Sequence, residues 1–219
     1  METTRKQDMQ TERQVAAFLD EHLYQDMSTF SSYHRTDTLE EQLSGSDIIL
    51  STQDKLLNDA IVDEKVAISR ANTYLGTFSL ELSFLNKKDK RMEGWLLDEG
   101  KATTHYLFGW ITNADIPYLE EKKRYDHHQL TKDNIHRLQW AIVSRKSIMS
   151  FLEERGWTIE KLARQDNAIR KRGYLLRPHE FINDVSFAFS PQLQEQPINI
   201  LLKKQTYFSL ATHKGTINC

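Results

Sequence analysis

Acidic and basic residues interrupt two apolar, strand-like segments in the first third of the chain. Asp47 opens the first segment, and the triplet Asp63-Glu64-Lys65 lies inside the second. Side chains alternate between the two faces of a strand, so we expect Asp63 and Lys65 on one face and Glu64 on the other. If the two segments pair as a hairpin, Asp47 lies beside Asp63.

Two carboxylates that converge from neighbouring strands form a site of hard oxygen ligands, which suits Mg²⁺ or Mn²⁺ better than zinc. The carboxylates repel each other, and a divalent cation between them removes that repulsion. Lys65 can then orient or help to deprotonate a water molecule, or stabilise charge on a phosphorane-like transition state. Glu81, in a third apolar segment, is a candidate fourth member. Glu12, in the first predicted helix, is a weaker addition.

Each of these residues also has an ordinary structural interpretation. Asp47 follows Gly45-Ser46, which is good turn chemistry. Charges within 63–65 suit an exposed edge strand that resists aggregation. Glu81 fits a surface residue equally well, and for Glu12 a solvated acid in the first helical turn is the preferred interpretation. The histidines, including the pair 127–128, lack metal-ligand spacing and are interpreted as structural or surface residues.

The pattern along the chain predicts an α/β or α+β domain with a central mixed sheet. A helix comes first, with Thr11 as its cap, and strands follow before the pattern returns to helix. The predicted helices span 11–27, 131–154 and 158–171, and the predicted strands span 46–51, 60–68, 77–85, 94–97, 104–111, 198–202 and 206–210.

The composition is that of a globular protein with a core. The chain has 219 residues, of which 39% are hydrophobic and 27% charged, and its formal net charge is -2. We expect one domain over 1–219, with a core in 11–111 and an elaboration in 112–219. The single cysteine, Cys219, leaves no intramolecular disulfide, and no apolar run is long enough to cross a membrane, so we expect a cytoplasmic protein. The net charge does not favour nucleic-acid binding through bulk charge.

The arrangement Gly45-x-Asp47, followed by Asp63-Glu64-Lys65, resembles the PD-(D/E)xK nuclease superfamily, in particular its uncharacterised bacterial and phage-type members. The resemblance covers about half of the chain. It departs from the family pattern at Ser46, where the family has proline, and over 86–103, where the expected helix is not evident.

This resemblance implies a restriction-endonuclease-like α/β fold, in which helices flank a mixed central sheet, with a helical C-terminal elaboration. It implies a hydrolase that depends on Mg²⁺ or Mn²⁺ and acts on nucleic acid, with DNA as the favoured substrate. Asp47, Asp63 and the backbone carbonyl of Glu64 would bind the metal, Lys65 would be catalytic, and Gln42 would be a neighbour of the site.

Two alternatives remain open at this stage. The chain can be a catalytically inactive member of the same fold that binds nucleic acid or protein, or an interaction domain of unrelated fold. The first predicts the fold without metal affinity. The second predicts Asp47 and Asp63 carboxylates that lie far apart.

Overall fold

The computed structural model describes residues 2–25, 30–36, 45–52, 57–178 and 180–219, with side chains described from residue 6 onward. The chain is a mixed α/β protein that divides into two compact units, each built from separate stretches of sequence. Unit 1 comprises Met1–Leu75, Thr103–Val143 and Ala211–Cys219, and unit 2 comprises Gly76–Ala102 and Ser144–Leu210.

A six-stranded mixed sheet forms most of unit 1. Its strands, in spatial order, are β1 (Ser32–Arg35), β2 (Ile48–Ser51), β3 (Ala60–Val66), β6 (His105–Ala114), β9 (Ile135–Ser144) and β12 (His213–Asn218). Strand β3 pairs antiparallel with β2 and parallel with β6. A small hairpin of β7 (Tyr118–Leu119) and β8 (Arg124–Tyr125) and four 3-10 turns (Ile68–Arg70, Glu120–Lys122, His127–Gln129, Lys132–Asn134) complete the unit.

Helix α1 (Glu2–Leu19) continues into a π-helical turn, Asp20–Tyr24, and covers the sheet of unit 1. Its apolar residues recur at helical spacing and therefore lie on one face. That face packs in one buried cluster with residues of the central strands. The cluster includes Val15, Phe18, Leu19 and Leu23 from the helical segment and Ile48, Leu50, Val62 and Leu107 from the sheet.

Unit 2 contains a four-stranded antiparallel sheet and three helices. The strands, in spatial order, are β10 (Ser186–Phe189), β11 (Ile198–Lys203), β4 (Thr77–Leu85) and β5 (Arg91–Glu93). The helices are α2 (Arg145–Glu154), α3 (Ile159–Arg172) and α4 (Lys204–Leu210). Caps define where two of them begin, since Ser144 accepts a hydrogen bond from Ser147 N and Thr158 accepts one from Lys161 N.

Several predicted elements are confirmed, but the helix predicted over 131–154 is wrong in its first half. Residues 135–144 form β9, and the helix starts only at Arg145. Strand β9 is rich in β-branched and aromatic residues, and its pairing with β12 overrides a spacing that also fits a helix. The strand predicted over 206–210 is also wrong. These residues lie in α4, and the last strand of the chain begins at His213.

Three smaller predictions also differ from the structure. Residues 95–97 form a turn rather than a strand, and Gly94 lies so close to the backbone of Glu81 that a Cβ atom would not fit there. Strand β1 is absent from the predicted strands. Helix α1 starts well before Thr11, whose hydroxyl donates to Gln7 O from inside the helix and so does not cap it.

Strands from both sides of residue 111 meet in unit 1, where β9 and β12 belong to the same sheet as β2 and β3. Among the described residues, no helix is both long and apolar enough to span a membrane.

A charged group is fully buried in unit 2. Asp166 on α3 has no exposed surface and pairs with Arg91 of β5 and with Arg170, whose Nε lies 3.2 Å from Asp166 Oδ1. Ser83 of β4 donates to the same carboxylate at 2.6 Å. Burial of a carboxylate is costly, and these partners offset that cost. The group joins α3 to two strands of the unit.

We therefore expect Asp166→Asn to destabilise the protein strongly, by about 3–5 kcal/mol, because two arginines lose their buried counter-ion. Chemical denaturation monitored by circular dichroism measures the effect. The matched control is Glu180→Gln, which removes an exposed ion pair with Arg177 and should cost less than about 1 kcal/mol. Equal losses in the two variants would contradict a structural role for the buried group.

Candidate functional site

The pairing of β2 with β3 brings the first two predicted site residues together. Ile48 is the partner of Val62, so the next residues along the two strands, Asp47 and Asp63, are opposite each other. The backbone N–H of Glu64 donates to Asp47 Oδ2 at 2.7 Å, which fixes the Asp47 carboxylate at this end of the hairpin. The condition stated for the sequence is therefore met: the two segments pair antiparallel, and Asp47 lies beside Asp63.

Lys65 lies on the same face of β3 as Asp63, as strand alternation predicts. Its Nζ atom is 2.7 Å from Asp63 Oδ1. Asp63 is only 7% exposed, and this burial raises the pKa of its carboxyl to about 6, against the lowering effect of Lys65. The Asp47 carboxyl, within hydrogen-bonding reach, raises it further. The site thus holds a carboxylate that is hard to ionise without a further positive charge.

Glu64 points to the opposite face of β3, where it joins a second charged network. Tyr24 donates to Glu64 Oε1 at 2.8 Å, and Arg35 Nη1 donates to Oε2 at 2.9 Å. Arg35 also pairs with Asp20 at 2.8 Å. Burial raises the pKa of Glu64 although Arg35 opposes the shift. The Glu64 side chain is therefore engaged in the fold, and only its backbone could take part in the site on the other face.

Glu12 has a stronger connection to the site than its sequence position indicates. Because α1 begins at Glu2, Glu12 lies well inside the helix, and the interpretation as a first-turn acid is wrong. Partial burial and the charge of Asp8 raise the pKa of Glu12, Lys65 lowers it, and Asp47 raises it. These interactions place Glu12 within electrostatic range of both Lys65 and Asp47.

The structure does not bring Glu81 to the sheet of this site. Glu81 lies on β4 of unit 2, opposite Asn199 of β11, whereas the sheet neighbours of β3 are β2 and β6. Glu81 and Asp63 therefore belong to different sheets, and the assignment of Glu81 to the site stays a prediction. Gln42, the expected neighbour of the site, lies outside the described residues.

The site offers a limited donor set for a metal ion. Asp47 and Asp63 supply two adjacent carboxylates, and oxygen is the donor that Mg²⁺ and Mn²⁺ prefer. A divalent cation would also relieve the raised pKa of Asp63, since both its burial and the neighbouring acid disfavour the negative charge. The residues present therefore fit such an ion, with water needed for the remaining positions.

One group of potential metal ligands was missed in the sequence. Asp8, His127 and His128 lie together in unit 1. The adjacent histidines were a visible signal, but Asp8 is more than a hundred residues away in the chain, and only the packing of α1 brings it to them. Burial, together with His128 and Arg124, lowers the pKa of His127.

Comparisons of the chain with protein-family models, with curated proteins and with solved structures found no match. The resemblance to the PD-(D/E)xK superfamily thus has no support outside the motif. The interpretation of the site depends on the positions and contacts of Asp47, Asp63, Lys65 and Glu12.

We expect Asp63→Asn to stabilise the protein near neutral pH in the presence of EDTA. The folded-state pKa of about 6 lies above the usual 3.8, so ionisation of Asp63 weakens the fold as the pH rises between these values. Removing the charge should add about 1–3 kcal/mol. The gain should shrink as the pH falls below about 6 and be absent below the usual pKa, because the wild-type carboxyl is then protonated.

Thermal and urea unfolding at several pH values measure this difference. Glu120→Gln, at an exposed position in the same unit, is the matched control and should change little. A loss of stability in Asp63→Asn near neutral pH would show that the ion pair with Lys65 outweighs the cost of burial.

Proposed function

We propose that this chain is a divalent-metal-dependent phosphodiesterase of the nuclease type, with a restriction-endonuclease-like core, that acts on nucleic acid and foremost on DNA. The observation that carries the proposal is the buried Asp63 carboxyl, which meets Asp47 from the neighbouring strand and Lys65 from its own. Groups whose pKa is shifted by burial and by neighbouring charges are common in active sites.

Asp47 and Asp63 would hold the cation through their carboxylate oxygens, joined by the Glu64 carbonyl that the family resemblance implies. The cation, when bound, supplies the polarisation of a phosphate oxygen and the lowered pKa of a coordinated water. The hydrogen bond from Glu64 N keeps Asp47 in place for this task. The network of Glu64 with Tyr24 and Arg35 restrains the strand from its other face.

Lys65 is the residue that we assign to the reacting groups. Its ammonium now neutralises Asp63 at 2.7 Å, and about a quarter of its side chain is exposed, so solvent can reach it. With a cation on the carboxylates, the ammonium group can turn towards the phosphate or the attacking water and stabilise the negative charge that develops there. Glu12, at the edge of the same charged group, can orient or accept a proton from a water molecule.

A catalytically inactive binding module with the same architecture is the second candidate. It is favoured by the same ion pair, because Lys65 already supplies the positive charge that Asp63 needs. In that case the ammonium group of Lys65 takes the place of a metal ion beside Asp63. The two candidates differ in metal affinity and in hydrolysis, and both can be measured.

We expect the purified protein to cleave DNA or RNA when Mg²⁺ or Mn²⁺ is present and to lose this activity in EDTA. Asp63→Asn removes a metal ligand, and Lys65→Ala removes the stabilising charge, so each should lower the cleavage rate by about 100-fold or more. Gel assays with labelled single-stranded and double-stranded substrates measure the rates.

The matched controls are Glu120→Gln and Lys122→Ala, which remove the same charges at exposed positions of unit 1. Both should retain wild-type cleavage. Cleavage that persists in Asp63→Asn and Lys65→Ala would exclude this site as the source of the activity.

Metal binding separates the active from the inactive candidate. Calorimetric titration of EDTA-treated protein with Mn²⁺ should show binding that Asp63→Asn weakens by at least about tenfold, because half of the carboxylate pair is lost. No difference between wild type and Asp63→Asn, together with no cleavage, would favour the inactive binding module.

A further inference from the structure

Three side chains with metal-binding atoms meet where α1 packs against the 3-10 turn His127–Gln129. His128 Nε2 lies 2.8 Å from Asp8 Oδ1, and His127 Nε2 lies 3.8 Å from the same oxygen. One ligand atom from each residue lies within 4.8 Å of the other two. Within the described ranges, no other group of three histidine, cysteine or acidic side chains meets this spacing.

The distances suit a small tetrahedral ion. Zinc binds imidazole nitrogen and carboxylate oxygen at about 2.0–2.2 Å, so two of its ligand atoms in a tetrahedron are about 3.3–3.5 Å apart. The observed separations from Asp8 to the two histidines lie on either side of that value. Two imidazoles and one carboxylate form a known ligand set for zinc, in which water takes the fourth position.

His127 is a largely buried histidine whose two ring nitrogens have different surroundings. The residue is nine-tenths buried, and its Nδ1 atom is buried without a hydrogen-bond partner in the part of the chain that is described. Its Nε2 atom is too far from Asp8 for a hydrogen bond at 3.8 Å. An ion at Nε2, between this ring and Asp8, would give His127 a strong interaction at that atom, while the surroundings of Nδ1 would not change.

The surrounding residues hold both rings in position. The two imidazole rings contact each other with centroids 4.2 Å apart and planes tilted by 50°, and both Nε2 atoms face Asp8 Oδ1. His128 Nδ1 lies 3.9 Å from the carboxylate of Asp126, too far for a hydrogen bond. The negative charge of Asp126 so close to the ring favours a cation at this place. Asp126 is itself fixed, because its N–H donates to Pro117 O at 2.8 Å.

We propose that Asp8, His127 and His128 form a binding site for a transition-metal dication, with zinc as the preferred ion. The site differs in chemistry from the pair Asp47 and Asp63, because it offers nitrogen ligands that Mg²⁺ does not favour. The ion would link α1 directly to the 3-10 turn. This proposal does not depend on nuclease activity.

Titration of untagged, EDTA-treated protein with Zn²⁺ tests the proposal by calorimetry, and Co²⁺ gives a visible spectrum when it takes the same tetrahedral position. We expect one equivalent to bind. His127→Gln and Asp8→Asn should each weaken binding by at least about tenfold. The Asp63→Asn variant should bind this equivalent unchanged, which separates the site from the carboxylate pair.

The matched control is His136→Gln. His136 also pairs with an aspartate, Asp115, at 2.9 Å, but the described residues offer no third ligand there, so zinc binding should be unchanged. Zinc should raise the melting temperature of wild type and His136→Gln, and should not raise that of His127→Gln. If His127→Gln fails to fold by circular dichroism, Asp8→Asn decides, since Asp8 is half-exposed. Absent binding in the wild type, or binding that Asp8→Asn leaves intact, would overturn the proposal.

Discussion

The burial of charge on both faces of one strand is the constraint on which unit 1 depends. Strand β3 carries three consecutive charged residues in the middle of a six-stranded sheet, where apolar side chains would be easier to pack. Each buried carboxylate needs nearby positive charge or hydrogen bonds to remain ionised. Glu64 obtains both from Arg35 and Tyr24, whereas Asp63 obtains one lysine and a second acid. Within the described part of the chain, the Glu64 carboxylate thus has more compensating partners than the Asp63 carboxylate.

This asymmetry supports a functional interpretation of the Asp63 face. The network of Glu64 joins β3 to β1 and to the π-helical turn that follows α1, through Arg35, Tyr24 and Asp20. Its geometry is closed, and it has a clear structural role. On the Asp63 face, Asp47 and Asp63 repel each other, and the partners found among the described residues are Lys65 and the backbone N–H of Glu64. A fold gains nothing from such repulsion, and a cation or a charged substrate would relieve it.

The sequence was sufficient to predict what depends on neighbours along the chain. Strand alternation correctly separated Asp63 and Lys65 from Glu64, and the antiparallel pairing of β2 with β3 meets the condition under which Asp47 was expected beside Asp63. It was insufficient where long-range pairing decides. Residues 135–144 fit a helical spacing, yet they form a strand that pairs with residues from the very end of the chain. The sequence also did not reveal that the strand of Glu81 belongs to a separate sheet, or that β6 pairs in parallel with β3.

Helix α1 is a further element whose contacts depend on long-range packing. It also connects two groups of unit 1: Asp8 with its histidines, and Asp47 and Asp63 with Lys65. Asp8 and Glu12 are four residues apart and so lie on the same side of the helix, one turn from each other. Asp8 contacts His128, while the charge of Glu12 interacts with Lys65 and Asp47. Gln14 and Glu21, further along the helix, accept hydrogen bonds from Lys132. The position of α1 on these turns therefore determines how close Glu12 comes to the carboxylate pair, and an ion at Asp8 would restrain that position.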